Sequence, residues 1–136
     1  MQFETKIVVV LRDDLETWQK ANVTAFVVSG IAGVDASTVG KPYVDGSGRE
    51  YLPMFRQPVL VYAADAAALR RAYERALARD VRLAIYTAEL FVTRHDEANR
   101  AAVAAVESDD LDLVGIAFRT ERKVADKIVD KLRLQA

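Results

Sequence analysis

The sequence contains no cysteine and a single histidine, His95. The lack of cysteine excludes disulfides, thiolate nucleophiles and cysteine-ligated zinc, and any imidazole chemistry must use that one histidine. No apolar run reaches the roughly 20 residues that a membrane-spanning helix needs. The first residues, Met1 to Glu4, lack the basic and apolar regions of a signal peptide. We therefore expect a cytoplasmic protein with no membrane segment, and we expect no bound metal or cofactor.

An excess of charge of either sign is also lacking, since 19 Lys and Arg stand against 20 Asp and Glu, a net charge of −1. This balance argues against an indiscriminate nucleic-acid-binding protein, although it leaves room for a local basic patch. Because 51% of the 136 residues are hydrophobic, the chain can bury a core without disulfides or metals. We expect one domain over residues 1–136.

Four apolar runs predict β-strands, and each is followed by a segment with helical features. The strands are expected at 7–11, 58–62, 81–86 and 111–118. The helices are expected at 18–31, 65–79, 96–107 and 121–132. Asp45-Gly46 supplies the turn of a small hairpin insertion within residues 40–54. This alternation predicts an α/β fold, a three-layer α/β/α sandwich around a mixed or mostly parallel sheet of about four strands.

The first helix is apolar around most of its circumference. We assign to its core-facing side Val23, Phe26, Val27, Gly30 and Ile31. A helix this apolar is expected to be buried on more than one side, either between layers or against a second subunit. The sequence therefore predicts a homodimer.

Several polar residues stand beside or within that apolar helix. Asp13 and Asp14 follow the first strand, where they can cap the helix, the favoured interpretation, or hold a divalent metal. Thr24 and Ser29 can bond to carbonyls of the preceding turn. Asn22 lacks that local explanation, and buried polar groups need partners. Asn22 is therefore the best single candidate for a ligand contact.

Motifs of common nucleotide and hydrolase sites are missing. Gly30-Ile31-Ala32-Gly33 has neither the lysine nor the strand-to-helix setting of a phosphate-binding loop. No serine stands in a nucleophile-elbow sequence, so a serine hydrolase is not expected. The segment Thr93-Arg94-His95-Asp96 is typical of a capping box, which predicts a solvated role for His95.

Two basic stripes recur at helical spacing, Arg71, Arg75 and Arg79 on the second helix and Lys123, Lys127 and Lys131 on the last. Like charges four residues apart repel by roughly 0.2–0.5 kcal/mol, which a bound polyanion would offset. The neighbouring acids Glu74, Asp126 and Asp130 favour instead a mixed, solvated face. Weak RNA binding through either stripe stays open.

The segment Lys6-Ile7-Val8-Val9-Val10-Leu11-Arg12-Asp13-Asp14-Leu15 resembles the first strand and turn of type II peptidyl-tRNA hydrolases. The similarity continues over most of the chain, at 57–61, in the helix after Asp65, in the strand from Val81, at 113–117 and at 124–134. This resemblance implies a compact α/β/α sandwich that usually dimerises.

The catalytic pattern of those hydrolases is not matched. Lys20 can stand for one lysine of the family's first helix, but Ser29 falls where its histidine is expected. After the third strand this chain reads Thr87-Ala88-Glu89-Leu90, so the family's aspartate is missing unless Glu89 replaces it. Losing both the imidazole and the carboxylate removes the obvious acid–base pair. The resemblance therefore does not predict hydrolysis of peptidyl-tRNA.

The chain more closely resembles an uncharacterised bacterial family related to those hydrolases. Its members similarly have an asparagine in the first helix and an insertion like the one at 39–48. This resemblance implies a fold without an established activity. It places the extra hairpin where it could cover the site that the hydrolases leave open for RNA.

Together these patterns predict a pocket at the ends of the first and third strands. The residues expected around it are Arg12, Asp13, Asp14, Lys20, Asn22, Ser29, Thr87 and Glu89. The leading hypothesis is a small-ligand or partner-binding protein, or an enzyme of unassigned chemistry. One alternative is nucleic-acid binding or peptidyl-tRNA hydrolase-like activity retained from the relatives. The other is a structural dimerisation module.

Overall fold

The computed structural model describes residues 3–136, which form strands, helices and short 3-10 turns. The strands are β1 Thr5–Arg12, β2 Tyr43–Val44, β3 Glu50–Tyr51, β4 Val59–Ala64, β5 Ala84–Thr87, β6 Leu113–Glu121 and β7 Arg133–Leu134. The helices are α1 Thr17–Val34, α2 Ala66–Ala78, α3 Asp96–Ala104 and α4 Arg122–Ile128. Among the described residues, no helix is both long and apolar enough to cross a membrane.

Five strands form one mixed sheet in the order β5-β6-β1-β4-β7. β1 is parallel to β4 and antiparallel to β6, and β5 is also antiparallel to β6. The carboxyl ends of β1, β4 and β5 therefore lie at one edge of the sheet, which we call the carboxyl edge. The separate strands β2 and β3 form the predicted hairpin, with Tyr43 opposite Tyr51.

Helices cover both faces of this sheet. Because successive side chains of a strand point to opposite faces, β1 supplies Val8 and Val10 to one core and Ile7, Val9 and Leu11 to the other. The first core is closed by α2 and α4, and the second by α1. All five of these side chains are at most 1% exposed. The unbroken apolar run of the first strand thus reflects a central strand that is covered on both faces.

Several predicted boundaries differ from the structure, among them the following three. The last helix ends at Ile128 rather than 132, and Lys131 has a positive φ of 69°. The third strand begins at Ala84 rather than 81, and α3 ends at Ala104 rather than 107. The chain after α4 turns back to form β7, a fifth strand beside β4. β7 has only two residues, which are too few to show the alternation typical of a strand. The sequence therefore predicted about four strands and missed this one.

α1 is covered on one side only within a single chain. Val23, Val27 and Ile31 are buried, as predicted, but Phe26 is 54% exposed. The assignment of Phe26 to the buried side is therefore wrong. Gly30 is exposed, but it faces the sheet as predicted, since a Cβ placed there would lie 3.6 Å from Cβ of Ala84 in β5. The sheet presents one flat face to the helix, and only a stripe of residues three and four apart can contact it.

Candidate functional site

A cleft of about 390 Å³ opens beside α1, near the carboxyl end of β5. One wall belongs to α1, and the other to the 3-10 turn Ala88–Phe91 and the start of α3. The residues that line it are Trp18, Asn22, Phe26, Tyr86, Leu90, Phe91, Thr93, Arg94, His95, Asp96 and Asn99. We call it the aromatic cleft.

Four aromatic rings form a continuous ladder along this cleft. Trp18 meets Phe91 edge to face with ring centroids 6.0 Å apart, and Phe26 meets Tyr86 in the same way at 5.9 Å. Tyr86 and Phe91 join the two pairs, with centroids 5.1 Å apart. Trp18 remains 61% exposed and Phe26 54% exposed. The cleft therefore presents to solvent aromatic surface that a protein of this kind would ordinarily bury.

The α1 wall is a stripe of residues spaced by four. Trp18, Asn22 and Phe26 share one helix face for that reason. Asn22 Nδ2 lies 3.4 Å from Tyr86 Oη, which in turn donates a hydrogen bond of 3.3 Å to the carbonyl of Leu90. Within residues 3–136 the carbonyl oxygen of Asn22 has no hydrogen-bond partner. Its acceptor is therefore available to a ligand.

The electrostatics of the cleft floor favour a neutral tyrosine. Burial raises the pKa of Tyr86, and the hydrogen bond from Asn22 opposes this rise. Tyr86 therefore keeps its proton throughout the physiological range, and its hydroxyl serves as a donor to Leu90 rather than as a base.

The α3 wall carries the only histidine. His95 caps α3, and its Nδ1 accepts a hydrogen bond from the amide of Ala98 at 3.2 Å. Nδ1 is therefore engaged by the helix, and Nε2 is the remaining nitrogen of the ring. Thr93 instead bonds to the carbonyl of Leu90 and to Asn99, so the helix is capped by the imidazole itself. Arg94 forms no ion pair among the described residues, whereas Asp96 is paired with Arg100.

The charged residues predicted for the pocket form a separate cluster at the carboxyl edge. Arg12 Nε donates to Asp14 at 2.6 Å, and Arg12 Nη1 donates to Asp112 at 3.1 Å. The hydrogen bond to Asp14 is the main reason why the pKa of Arg12 is raised. Asp13 is exposed, and its amide donates to the carbonyl of Ala64.

Neither aspartate at this edge caps α1, which is a correction to the favoured sequence interpretation. The N-cap is Glu16, which forms a reciprocal capping box with Gln19. Asp14 lies two residues too early to reach the first amides of the helix, which begins at Thr17. The carboxylate of Asp14 accepts a hydrogen bond from Arg12 instead. Within residues 3–136 no group of three or more His, Cys, Asp or Glu side chains is placed to hold a metal ion.

The remaining predicted residues lie apart from one another. Thr87 is buried at the end of β5, and Glu89 is exposed on the turn whose next two residues line the cleft. Ser29 is exposed and donates to the carbonyl of Phe26, and Lys20 is half-buried. Of the eight predicted residues, only Asn22 lines the aromatic cleft.

Sequence reasoning missed the aromatic members of the cleft. Trp18 and Phe26 stand four residues to either side of Asn22, and that spacing was a usable signal. Read as a helix face, it gives an amide flanked by two large rings. Tyr86 and Phe91 carried no comparable signal, because their approach to α1 depends on where β5 lies in the sheet.

Comparisons with known proteins agree with this structure in fold but supply no activity. The profile of a family described as "Protein of unknown function (DUF2000)" matches residues 5–136. The solved structure of a protein of unknown function, Atu0240 from Agrobacterium tumefaciens strain C58, is 46% identical. The match covers 99% of this chain and 100% of that one, with a TM-score of 0.96. A search of curated proteins finds no match.

Proposed function

Because the chain belongs to the DUF2000 family of proteins of unknown function, its role must be argued from the site, and we propose that the aromatic cleft binds a small organic ligand with a planar apolar ring. The observation that carries this proposal is the solvent-exposed aromatic ladder around Asn22. A volume of about 390 Å³ falls in the range of small-molecule sites.

Ring stacking supplies the affinity. A ring that enters the cleft removes apolar surface of Trp18 and Phe26 from water, and each aromatic pair adds about 0.5–1.5 kcal/mol beyond the area that it buries. The two rings are already held in place by Phe91 and Tyr86. Little side-chain freedom is therefore lost on binding.

Polar groups that line the cleft supply the specificity. The Asn22 amide offers an acceptor, and we expect a ligand donor to bond to it. Arg94 stands at the mouth of the cleft without an ion-pair partner among residues 3–136. A ligand that joins a planar ring to an acid group therefore fits better than one that carries an amine.

Binding is better supported than catalysis in this cleft. Nδ1 of His95 is occupied by the Ala98 amide, and the Thr93 hydroxyl is bonded to Leu90 and Asn99. No hydrogen bond joins a hydroxyl nucleophile to the imidazole within the described residues, and activation of such a nucleophile needs one. The resemblance to type II peptidyl-tRNA hydrolases stays a prediction about the fold.

The protein carries its own probe for this test. Trp18 is the only tryptophan and lines the cleft, so ligand binding should change its fluorescence. We would titrate the protein with a panel of planar aromatic acids, amides and amines. We expect saturable quenching by members of the panel, with the acids bound more tightly than the amines.

Variants decide whether the cleft is the site. Asn22→Leu keeps the branching of the side chain but removes both the acceptor and the donor to Tyr86, and Phe26→Ala removes one ring. We expect each to weaken binding by about tenfold, as the loss of one hydrogen bond or one stacking contact implies. Leu52→Ala is the matched control, because Leu52 is 86% exposed on the hairpin side and does not line the cleft. Equal affinities in all three variants would refute the proposal.

A further inference from the structure

The two basic stripes of the sequence converge on one groove. α2 and α4 pack against each other on the face of the sheet opposite to α1. Between them is a groove of about 620 Å³ lined by Arg75, Arg79, Lys123, Asp126, Lys127 and Asp130. We call it the basic groove. It is separate from the aromatic cleft, since the sheet lies between them.

Two stripe members lie outside this groove. Arg71 is one turn before Arg75 on α2, and it is exposed. Lys131 follows the end of α4 with a φ of 69°, so it does not continue the face of Lys123 and Lys127. The stripe predicted for the last helix is therefore shorter than the sequence indicates, and four cations form the groove.

Positive charge dominates the groove. Four cations face two carboxylates along its walls, and one of these carboxylates, Asp126, is bound by Lys6 of β1. Counting Lys6, the local charge is three positive, on a chain whose net charge is −1. No ion pair involves the four groove cations within residues 3–136. The two groove carboxylates therefore offset only part of the mutual repulsion of the four cations.

Packing fixes the spacing between the two walls. Arg75 Nη1 lies 3.5 Å from the carbonyls of Ile128 and Asp130 at the end of α4. Arg79 Nη1 donates a hydrogen bond of 3.1 Å to the carbonyl of Arg75. These contacts hold the guanidinium groups in place before any ligand arrives, which lowers the entropic cost of binding.

We propose that the basic groove binds an anion made of two or more linked phosphate groups, with Lys123, Lys127 and Arg79 as its contacts. The cations of each wall are separated by about 6 Å of helix rise, which suits linked phosphates better than a single one. Ammonium groups act as point charges towards phosphate, and the guanidinium adds directed hydrogen bonds.

The test uses inorganic triphosphate as the probe, measured by isothermal titration calorimetry on the full chain at low ionic strength. We expect binding that weakens as salt is added, because phosphate contacts release counterions. Lys123→Ala combined with Lys127→Ala should weaken binding by at least about tenfold, through the loss of two charge-assisted contacts. Alanine suits these exposed helical positions, so we expect the variant to fold.

The matched control removes two cations of the same stripes that lie outside the groove. Arg71→Gln combined with Lys131→Asn changes the net charge by the same amount, and asparagine tolerates the positive φ at that position. We expect its affinity for triphosphate to equal that of the wild type. Equal losses in both double variants would show that binding follows the net charge of the protein and not the groove, which would overturn the proposal. The absence of wild-type binding would overturn it as well.

A second measurement maps the site without relying on variants. Titration of ¹⁵N-labelled protein with triphosphate should shift backbone amides of α4 and of the carboxyl-terminal half of α2. Shifts confined to other elements would overturn the proposal. Competition with a short single-stranded RNA then identifies the source of the phosphates: displacement of triphosphate indicates a nucleic-acid backbone, and failure to displace it indicates a free oligophosphate. Either result keeps the groove as the binding site.

Discussion

Helix α1 packs tightly against the sheet at Gly115 of β6. A Cβ placed there would lie 2.5 Å from Cγ1 of Val23 and 3.4 Å from Cδ2 of Leu11. Val23 cannot swing away, because a β-branched side chain in a helix has one strongly preferred rotamer and this one is completely buried. We therefore expect Gly115→Ala to force α1 away from the sheet.

The cost of that substitution can be worked out from two opposing effects. Overpacking a core typically destabilises by about 1–3 kcal/mol. Replacing glycine by alanine returns about 0.4–1 kcal/mol by restricting the unfolded chain, because the φ of Gly115 is not positive. The net loss is therefore about 1–2 kcal/mol in the free energy of unfolding. For a domain of this size it lowers Tm by roughly 4–8 °C.

A double-mutant cycle tests the cause rather than the size of this effect. Val23→Ala alone should cost about 2 kcal/mol, from lost burial and a small cavity. In the double variant the new methyl at position 115 enters the space that Val23 vacates. We expect the combined loss to fall below the sum of the single losses by about 1 kcal/mol or more. Urea unfolding followed by circular dichroism measures all three.

The control for this cycle is Gly33→Ala, since a Cβ at Gly33 meets nothing within 4 Å. Gly33 lies in the last turn of α1, where alanine should stabilise the helix by up to about 1 kcal/mol. Strictly additive losses at positions 115 and 23, or a stabilising Gly115→Ala, would refute the proposed close packing.

Three further predictions concern other parts of the molecule. Arg70 donates hydrogen bonds to the carbonyls of Ser108 and Leu111. Arg70→Ala should therefore lower the free energy of unfolding by about 1.5–3 kcal/mol. Arg70→Lys should not restore this stability, and urea unfolding measures both variants. The hydrogen bond from Tyr51 is the main cause of the lowered pKa of Asp45, and amide donors add to it. The folded pKa of Asp45 lies below its unfolded pKa. The stabilisation of the hairpin by the ionised Asp45 is therefore fully present above the unfolded pKa, and it is lost as pH falls through the folded pKa. The NMR signals of Tyr51 should report that loss, and Asp45→Asn should remove the pH dependence. Finally, we propose that the exposed carboxyl-terminal end of α1, outside the aromatic cleft, pairs with a second copy of the chain. Sedimentation velocity should then show a dimer at micromolar concentration, shifted towards monomer in Val34→Asp, which alters a residue that is 67% exposed and does not line the cleft. A monomeric wild type would contradict this proposal.

Local patterns predicted most of the elements, and the errors arise where tertiary contacts override the local pattern. The spacing of Val124, Ile128 and Leu132 favours a helix that continues to 132, but the chain leaves the helix after Ile128 so that β7 can pair with β4. A strand of two residues is stabilised by its partner and not by its own propensity. The apolar circumference of α1 likewise predicted burial on more than one side, whereas one flat sheet face contacts only one stripe.

Of the residues that form the candidate site, the sequence singled out only Asn22. Asn22 was found because a polar residue in an apolar helix needs a partner, and Tyr86 is that partner. Arg12, Asp14 and Glu89 were placed with it because all follow strands that end at one edge. They lie at that edge, but Arg12 donates hydrogen bonds to Asp14 and to Asp112, and none of these residues lines the cleft.

The sequence alone determined which residues could share a helix face or a strand face, because those periods are set by the backbone within a few residues. It therefore contained the stripe of Trp18, Asn22 and Phe26 and the paired cations of each basic helix. Only the tertiary structure decided what those stripes meet. Strand order brought Tyr86 and Phe91 to α1, and packing on a shared sheet face brought α2 to α4. Such contacts join residues far apart in the chain, and no local period encodes them.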